Sequence, residues 1–466
     1  MRSAAAAALA LLLTWAWARC GAQASVESLY PVPAHEEDWR FLADRTQRRD
    51  DWDVLKFVRL SADGNRYVSF GGEARVTYER FTNPDFGKSP KDSSGYFLQR
   101  YLLHGDLHLS SGLRVFAGLS SSLENGRNGG PRPVIDENRL DLHEAFVELA
   151  RSGSAGPLVL RIGRQELALG SGRILSLREE PNVPLSFDGL RLRAQLAPWK
   201  IDVLALAPVQ SQPGVFDDWH DPHFRLGGVY ASRTFSGSVL SAVDLYYLGV
   251  DRDHATYNQG SASERRHTLG LRVTRSKGAV RFDHETMIQV GRFGSGDITA
   301  WRLSLDTSYV FERLAWNPEI RLAADAASGD RDPSAPGLQT YNGLFPSGSY
   351  SCRCLLEGPA NNLRLQSVLS LQPSAALRIR SGWGFFWRQS RGDGLYGVAG
   401  NLLVPANGAG ARYEGSRPIA QVDWQMTRHA SLHVNADYYF TGPFGKQAES
   451  APSSLSYFSV WAAYRF

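Results

Sequence analysis

Leu190-Arg191-Leu192-Arg193-Ala194-Gln195-Leu196 alternates apolar and polar residues without a break. In an extended chain successive side chains leave opposite faces, so this segment has one oily face and one face of arginine and glutamine. A helix would scatter the same residues around its axis. The pattern recurs in Leu113-Arg114-Val115-Phe116-Ala117-Gly118-Leu119 and in Leu158-Val159-Leu160-Arg161-Ile162-Gly163. Farther on it returns in Trp301-Arg302-Leu303-Ser304-Leu305-Asp306 and Leu377-Arg378-Ile379-Arg380. Two kinds of connection separate these segments. Some are short, such as Ser110-Ser111-Gly112, Ser152-Gly153-Ser154 and Ser276-Lys277-Gly278. Others are long and polar, covering roughly 82–95, 123–138, 167–185, 211–223, 250–264, 329–361, 389–411 and 442–452. A soluble sandwich would use the oily face as a core but does not explain that division. Short turns on one rim and long loops on the other are what an outer-membrane β-barrel has, closed because lipid cannot satisfy an open edge.

The all-β reading gives a single transmembrane barrel of about 18 antiparallel strands, with 16 as the neighbouring even count. The strands fall near 68–81, 96–109, 113–123, 139–150, 157–167, 185–197, 199–209, 224–235, 238–249, 265–275, 279–292, 297–310, 317–327, 361–372, 376–388, 412–426, 431–441 and 453–466. In the fourth, Leu140 and Leu142 share one face, whereas Ala145, Val147 and Leu149 take the other, which predicts a bulge near His143-Glu144. The last strand alternates Phe458, Val460, Ala462, Tyr464 and Phe466, ending on an aromatic as bacterial outer-membrane barrels do.

The N-terminus agrees with that compartment. Ala4 to Leu13 is an uninterrupted apolar run, and Ala22-Gln23-Ala24 is an A-x-A cleavage site, so residues 1–24 read as a secretory signal peptide. Its removal takes Arg2 and Arg19, and the formal charge falls from +4 to +2. Cys352 and Cys354 then remain, one residue apart without a nearby histidine, which makes a poor metal site. Residues 25–66 are rich in charge and tryptophan and read as a periplasmic segment, either a short helix or an extended arm, with a gate reaching into the lumen as the alternative. The barrel proper occupies 67–466.

Composition excludes other classes. Mean hydropathy is −0.29, and beyond residue 20 no apolar run approaches the length of a helical span. With 51 basic and 47 acidic residues the chain is too balanced for nucleic acid to be the partner. The lipid of the outer membrane is.

If apolar positions face lipid, the opposite parity lines the lumen. That places about fourteen arginines there, no lysine and about ten carboxylates. Most would pair across strands. A surplus would form a track for an anionic solute, and it is expected where Arg161, Arg191 and Arg193 gather, with Arg164, Arg173 and Arg178 added by the intervening loop. Arg75 and Arg100 on early strands, and Arg378 and Arg380 on a late one, extend it.

These residues also carry a resemblance. Tyr67-Val-Ser-Phe-Gly-Gly-Glu-Ala-Arg75, Leu98-Gln-Arg-Tyr-Leu-Leu-His-Gly-Asp106 and Asp136-Glu-Asn-Arg-Leu-Asp-Leu-His143 resemble the bacterial alginate export family. So do Arg161-Ile-Gly-Arg-Gln-Glu-Leu-Ala-Leu-Gly-Ser-Gly-Arg173 and the run Arg178-Glu-Glu-Pro-Asn-Val-Pro-Leu-Ser-Phe-Asp-Gly-Leu-Arg191. The similarity spans about Glu37 to Phe466 and is closest to the broad branch of the family, not the dedicated alginate exporter. It implies a monomeric barrel with an arginine-rich constriction through which an acidic polysaccharide leaves the periplasm, with periplasmic export proteins as candidate partners. Arg161, Arg164 and Gln165 would belong to its pore-lining motif, and Arg191 follows in the next strand. A general or sugar-acid uptake porin of the same architecture is the alternative.

No catalytic arrangement competes. His143-Glu144 and His284-Glu285 are adjacent pairs whose side chains should leave opposite faces of a strand. His104, Asp106 and His108 do share a face, where inward polar residues bonded to neighbouring strands are the simpler reading. No H-E-x-x-H, G-x-S-x-G or phosphate loop appears, and no cofactor, metal or enzymatic activity is expected.

Overall fold

The computed structural model describes residues 30–154, 156–237, 239–348, 356–449 and 454–466. The signal peptide, Cys352 and Cys354 lie outside the described residues. The main sheet holds 20 strands, two of them the two-residue segments Val58–Arg59 and Trp219–His220. The remaining eighteen form the wall: β1 Tyr67–Thr82, β2 Asp92–Ser110, β3 Leu113–Asn125, β4 Asn138–Gly153, β5 Gly156–Gln165, β6 Phe187–Leu196, β7 Trp199–Gln210, β8 Phe224–Thr234 and β9 Ala242–Tyr257. Then follow β10 Gly260–Arg275, β11 Val280–Phe293, β12 Gly296–Val310, β13 Glu319–Ala327, β14 Asn362–Ser374, β15 Leu377–Arg388, β16 Tyr413–Gln425, β17 Ala430–Thr441 and β18 Ser454–Arg465. Each pairs antiparallel with its neighbours in sequence. Arg465 of β18 meets Glu73 of β1 and Ser456 meets Thr82, so no edge is left open.

Alternation sets the two faces. Along β12 buried and exposed residues follow one another, with Leu303 and Leu305 outward and Arg302 and Ser304 inward. The outward leucines have lipid as their solvent. The inward arginine needs the hydrogen bonds that only a polar lumen supplies. The bulge expected in the fourth strand is present: Gly118 pairs with Glu144 and Leu119 with Leu142, so His143 is the extra residue.

Four expectations are corrected. Residues 250–264 are not a long loop, because β9 and β10 continue to Tyr257 and Gly260 and meet in a tight hairpin. His143 and Glu144 do not leave opposite faces. The bulge breaks the alternation and buries both, His143 Nε2 lying 2.9 Å from Glu166 and Glu144 2.6 Å from His35. Residues 30–57 are not a free periplasmic arm. They form four short helical turns (Ala34–Glu36, Arg40–Ala43, Arg45–Gln47 and Asp53–Lys56) folded into the short-turn end of the lumen, where His35 and Lys56 are buried. Lys200 of β7 shares the lumen parity of Asp202, so the wall itself carries a lysine that the alternation reading did not count.

Candidate functional site: the lumen constriction

Loop 166–186, between β5 and β6, leaves the wall and crosses the lumen. Its first half buries Leu167, Leu169, Ile174 and Leu175 against the inward side chains Leu204, Leu206, Tyr230, Tyr246 and Met287. Apolar groups inside a polar lumen need partners, and these two sets supply each other. Arg173 fixes this end on β11, with Nη1 2.7 Å from Asp283 and 3.1 Å from Glu285. The second half reaches β1–β3, about half the circumference away in strand order. The Glu179 carbonyl accepts from Arg75 at 2.8 Å and Arg100 at 3.1 Å, and the Pro181 carbonyl from Arg75 at 3.1 Å. Arg100 is itself held by Glu73 at 2.7 and 2.9 Å. The Asn182 Nδ2 lies 3.1, 3.2 and 2.9 Å from the carbonyls of Gln99, Leu123 and Asp136, while its own carbonyl accepts from Ser122 at 2.8 Å. The loop is a bar fastened at both ends.

Two more loops lie on it. Ser176 donates its backbone N–H to Phe345 and Phe345 donates to Ile174, at 2.9 and 3.0 Å. Asp393 ties loops 328–361 and 389–412 together, accepting from the Asp330 backbone at 2.8 Å and the Tyr396 hydroxyl at 2.6 Å. Burial raises the carboxyl of Asp330 to about 6, with Asp393 adding repulsion. Between about pH 4 and 6 the folded loop holds a proton that the unfolded chain has released, so this contribution grows as pH falls through 6 and is lost above it. Proteolytic cleavage within loop 328–361 is therefore expected to slow from pH 7 to pH 5, with Asp330→Asn slow at both. A wild-type rate independent of pH would contradict this.

Two cavities lie among these loops. A cavity of about 30 Å³ is lined by Arg173, Arg302, Arg364, Asp325 and Glu357, with Pro346 and Val398 at its margin. Above it, sharing Pro346 and Val398, lies a cavity of about 140 Å³ lined by Arg127, Arg132, Arg178, Asp85, Asp92 and Tyr96. Arg364 pairs with Asp325, Arg302 lies 3.3 Å from the same carboxylate, and Arg417 pairs with Glu357. Arg178 stands apart. It makes no ion pair with a described residue, its φ is 54°, and burial alone pushes its guanidinium pKa down.

The expected pore residues are thus distributed, not gathered. Arg173 reaches the constriction, and Arg75 and Arg100 hold the bar. Arg161 is 1% exposed and covered by residues 30–57, and Gln165 is fully buried with Nε2 on the Gly163 carbonyl. Arg191 pairs with Asp202 and Arg193 with Glu148, both at 2.6 Å, in the lower lumen. Arg378 is exposed and Arg380 pairs with Asp423 on β15–β16, across the barrel from β6. Arg164 is a correction: it shares the face of Ile162, bonded to Asp188 at 2.9 Å, because parity puts it opposite Arg161. The anticipated surplus on β5–β6 is also reduced. Glu148, which the bulge turns inward, accepts from Arg114, Arg161 and Arg193 at 3.0, 2.7 and 2.6 Å. Asp106, His104 and His108 are wall residues, Asp106 being held by Arg114 and His108. Near the outer rim Asp141, Asp217 and Asp218 come within 4.8 Å, with Asp141 accepting backbone N–H groups of the other two at 3.0 Å. Sequence reading missed Arg127, Arg132, Asp325 and Glu357 as constriction residues, since three of the four lie in loops without periodicity.

An eighteen-strand closed barrel whose charged lumen is narrowed by its own loops is an outer-membrane channel of the porin class. The chain belongs to the alginate export family, whose sequence profile matches residues 66–457. Among solved structures it is similar to OpdK of Pseudomonas aeruginosa with vanillate (TM-score 0.56, 12% identity, covering 86% of this chain and 98% of that one). It is also similar to OccK2 (OpdF) of the same organism in complex with glucuronate (0.55, 13%, 88% and 98%). A third is OccAB1 of Acinetobacter baumannii (0.58, 11%, 89% and 99%). At such identities the likeness is one of fold. No curated protein matches the chain.

Proposed function

We propose that the chain is a passive, monomeric channel for an anionic saccharide, exporting an acidic polysaccharide such as alginate. The observation that carries this is the lining of two cavities among the lumen loops. Three arginines face two carboxylates in the lower cavity, and three face two in the upper. Guanidinium groups bind carboxylates in fork geometry and keep their charge at any physiological pH. Shared among internal acids, they offer several weak sites in series, which lets a solute enter and also leave. Polymer synthesis upstream, coupled through periplasmic export proteins, supplies direction; no residue here would.

Uptake of a sugar acid is the second reading. A cavity of about 30 Å³ holds little more than a water molecule, and a single ring needs less loop displacement than a polymer. Relatives in fold solved with glucuronate and vanillate agree with it.

Planar-bilayer recordings test the common element. Block by oligouronates should be about tenfold stronger than by neutral glucans of equal size, roughly the 1.4 kcal/mol of one added charge-assisted bond. Arg178→Ala should weaken it several-fold without lowering stability, because no ion pair is lost. Equal block by both sugars would discard the anionic reading.

A further inference from the structure

Residues 30–57 meet the wall through polar contacts and through rings, His35 lying on Phe116 and Phe146, Trp52 on Phe466 and Phe57 on Tyr67. His35 sits deepest: its Nδ1 lies 2.6 Å from Glu144, its Nε2 2.8 Å from Arg161 Nη1, and its carbonyl accepts from Arg114 at 2.6 Å. Nearer the rim, Arg428 binds Asp50 at 2.5 Å and Asp53 at 2.8 Å. Lys56 donates to the Phe466 carbonyl at 2.8 Å and to Glu37 at 3.0 Å. The segment's apolar side chains, Tyr30, Trp39, Leu42 and Phe57, pack on one another and on Tyr67. Its helical turns are three or four residues long, far too short to stand alone. Val58 and Arg59 then pair with Val68 and Tyr67 of β1. The result is a small unit with its own apolar centre, a polar seat and one covalent attachment.

We infer that residues 30–57 are a gate hinged at 58–66, seated on Arg114, Arg161 and Arg428, and that a carboxylate-bearing chain competes for that seat. His35 offers two of those arginines a ring nitrogen and a carbonyl, both neutral acceptors. A carboxylate adds a full negative charge opposite the guanidinium and can accept in bidentate geometry, which neither neutral acceptor does. Asp50 and Asp53 hold the third by the chemistry an acidic sugar would bring. The polar bonds of the seat can be exchanged for water or for an anion, and local opening draws on segments held by few long-range strand pairs, here the two residues Val58 and Arg59. The competition rests on the anionic solute proposed above; the hinge does not.

The test uses the full chain with Ala34→Cys in a Cys352→Ser/Cys354→Ser background. Ala34 lines a cavity of about 60 Å³ closed between this segment and loop 166–186, with Glu37, His143 and Glu166. Labelling by a membrane-impermeant maleimide added on the periplasmic side should quicken at least fivefold with oligouronate and not with neutral glucan. His35→Ala/Lys56→Met, its folding checked by heat-modifiable gel migration, should label fast and conduct several-fold more than its parent without sugar. Labelling indifferent to oligouronate would overturn the competition. Unchanged conductance in the double variant would overturn the gate. A variant that conducts more while uronate and glucan block equally would keep the gate and reject the anionic solute.

Discussion

Glu148→Ala is expected to destabilise the barrel by about 3–5 kcal/mol, because it strips a shared carboxylate from buried guanidinium groups. Arg161 and Arg193 lose their only carboxylate partner among the described residues, whereas Arg114 keeps Asp106. Arg161, at 1% exposure, has no water to replace it. Urea unfolding of the detergent-folded protein, followed by tryptophan fluorescence, measures the loss. Glu148→Gln should cost less, since an amide oxygen still accepts one bond. A midpoint within the error of wild type would mean that the arginines find other acceptors.

The second large effect is on conductance. Asn182 is fully buried, and its amide joins the crossing loop to three carbonyls on two strands and one loop of the far wall. Asn182→Ala leaves those carbonyls facing a void, at about 1–3 kcal/mol for each that stays dry. The loop end then keeps Arg75, Arg100, the Ser122 bond to the backbone carbonyl of residue 182, the Val183 N–H to the Ile135 carbonyl and the Arg465–Glu179 pair. Single-channel conductance should increase with large slow fluctuations, while the strand content seen by circular dichroism is unchanged. An Asn182→Ala channel as quiet and narrow as wild type would show that these remaining bonds suffice.

How much of this was legible follows from where the period-2 signal reaches. Eighteen strands, the faces of Arg302 and Leu303, and the bulge at His143 are all consequences of alternation, which sequence displays directly. Glu148 was within reach too: a bulge at His143 turns Glu144 and Glu148 inward, and with them the answer to Arg161. Arg164 belongs to the resembling motif, yet its parity with Ile162 puts it on the outward face, because a motif does not state which face each of its residues takes. The constriction was legible only in part. Arg173 and Arg178 were expected in the track and do line the two cavities, but Arg127, Arg132 and Glu357 sit in loops, where no repeat ties a residue to a direction. The seating of residues 30–57 depends on partners such as His429 and Phe466, roughly 400 residues downstream.

The outward pair Arg164–Asp188 has a counterpart in Arg265–Asp251 on β9–β10, bonded at 3.0 Å on the face of Leu245 and Leu269. Charged pairs cannot lie in hydrocarbon without cost, so together they draw the barrel's waterline. Below them the outward face turns apolar, with Leu190, Leu245 and Leu269 exposed, as a lipid-facing band requires. Above Asp251 the wall continues through Tyr257, six residues and about 20 Å of strand. The barrel therefore rides with a freeboard on that side, a parapet raised among the surface sugars, while β5 and β6 end at the line itself.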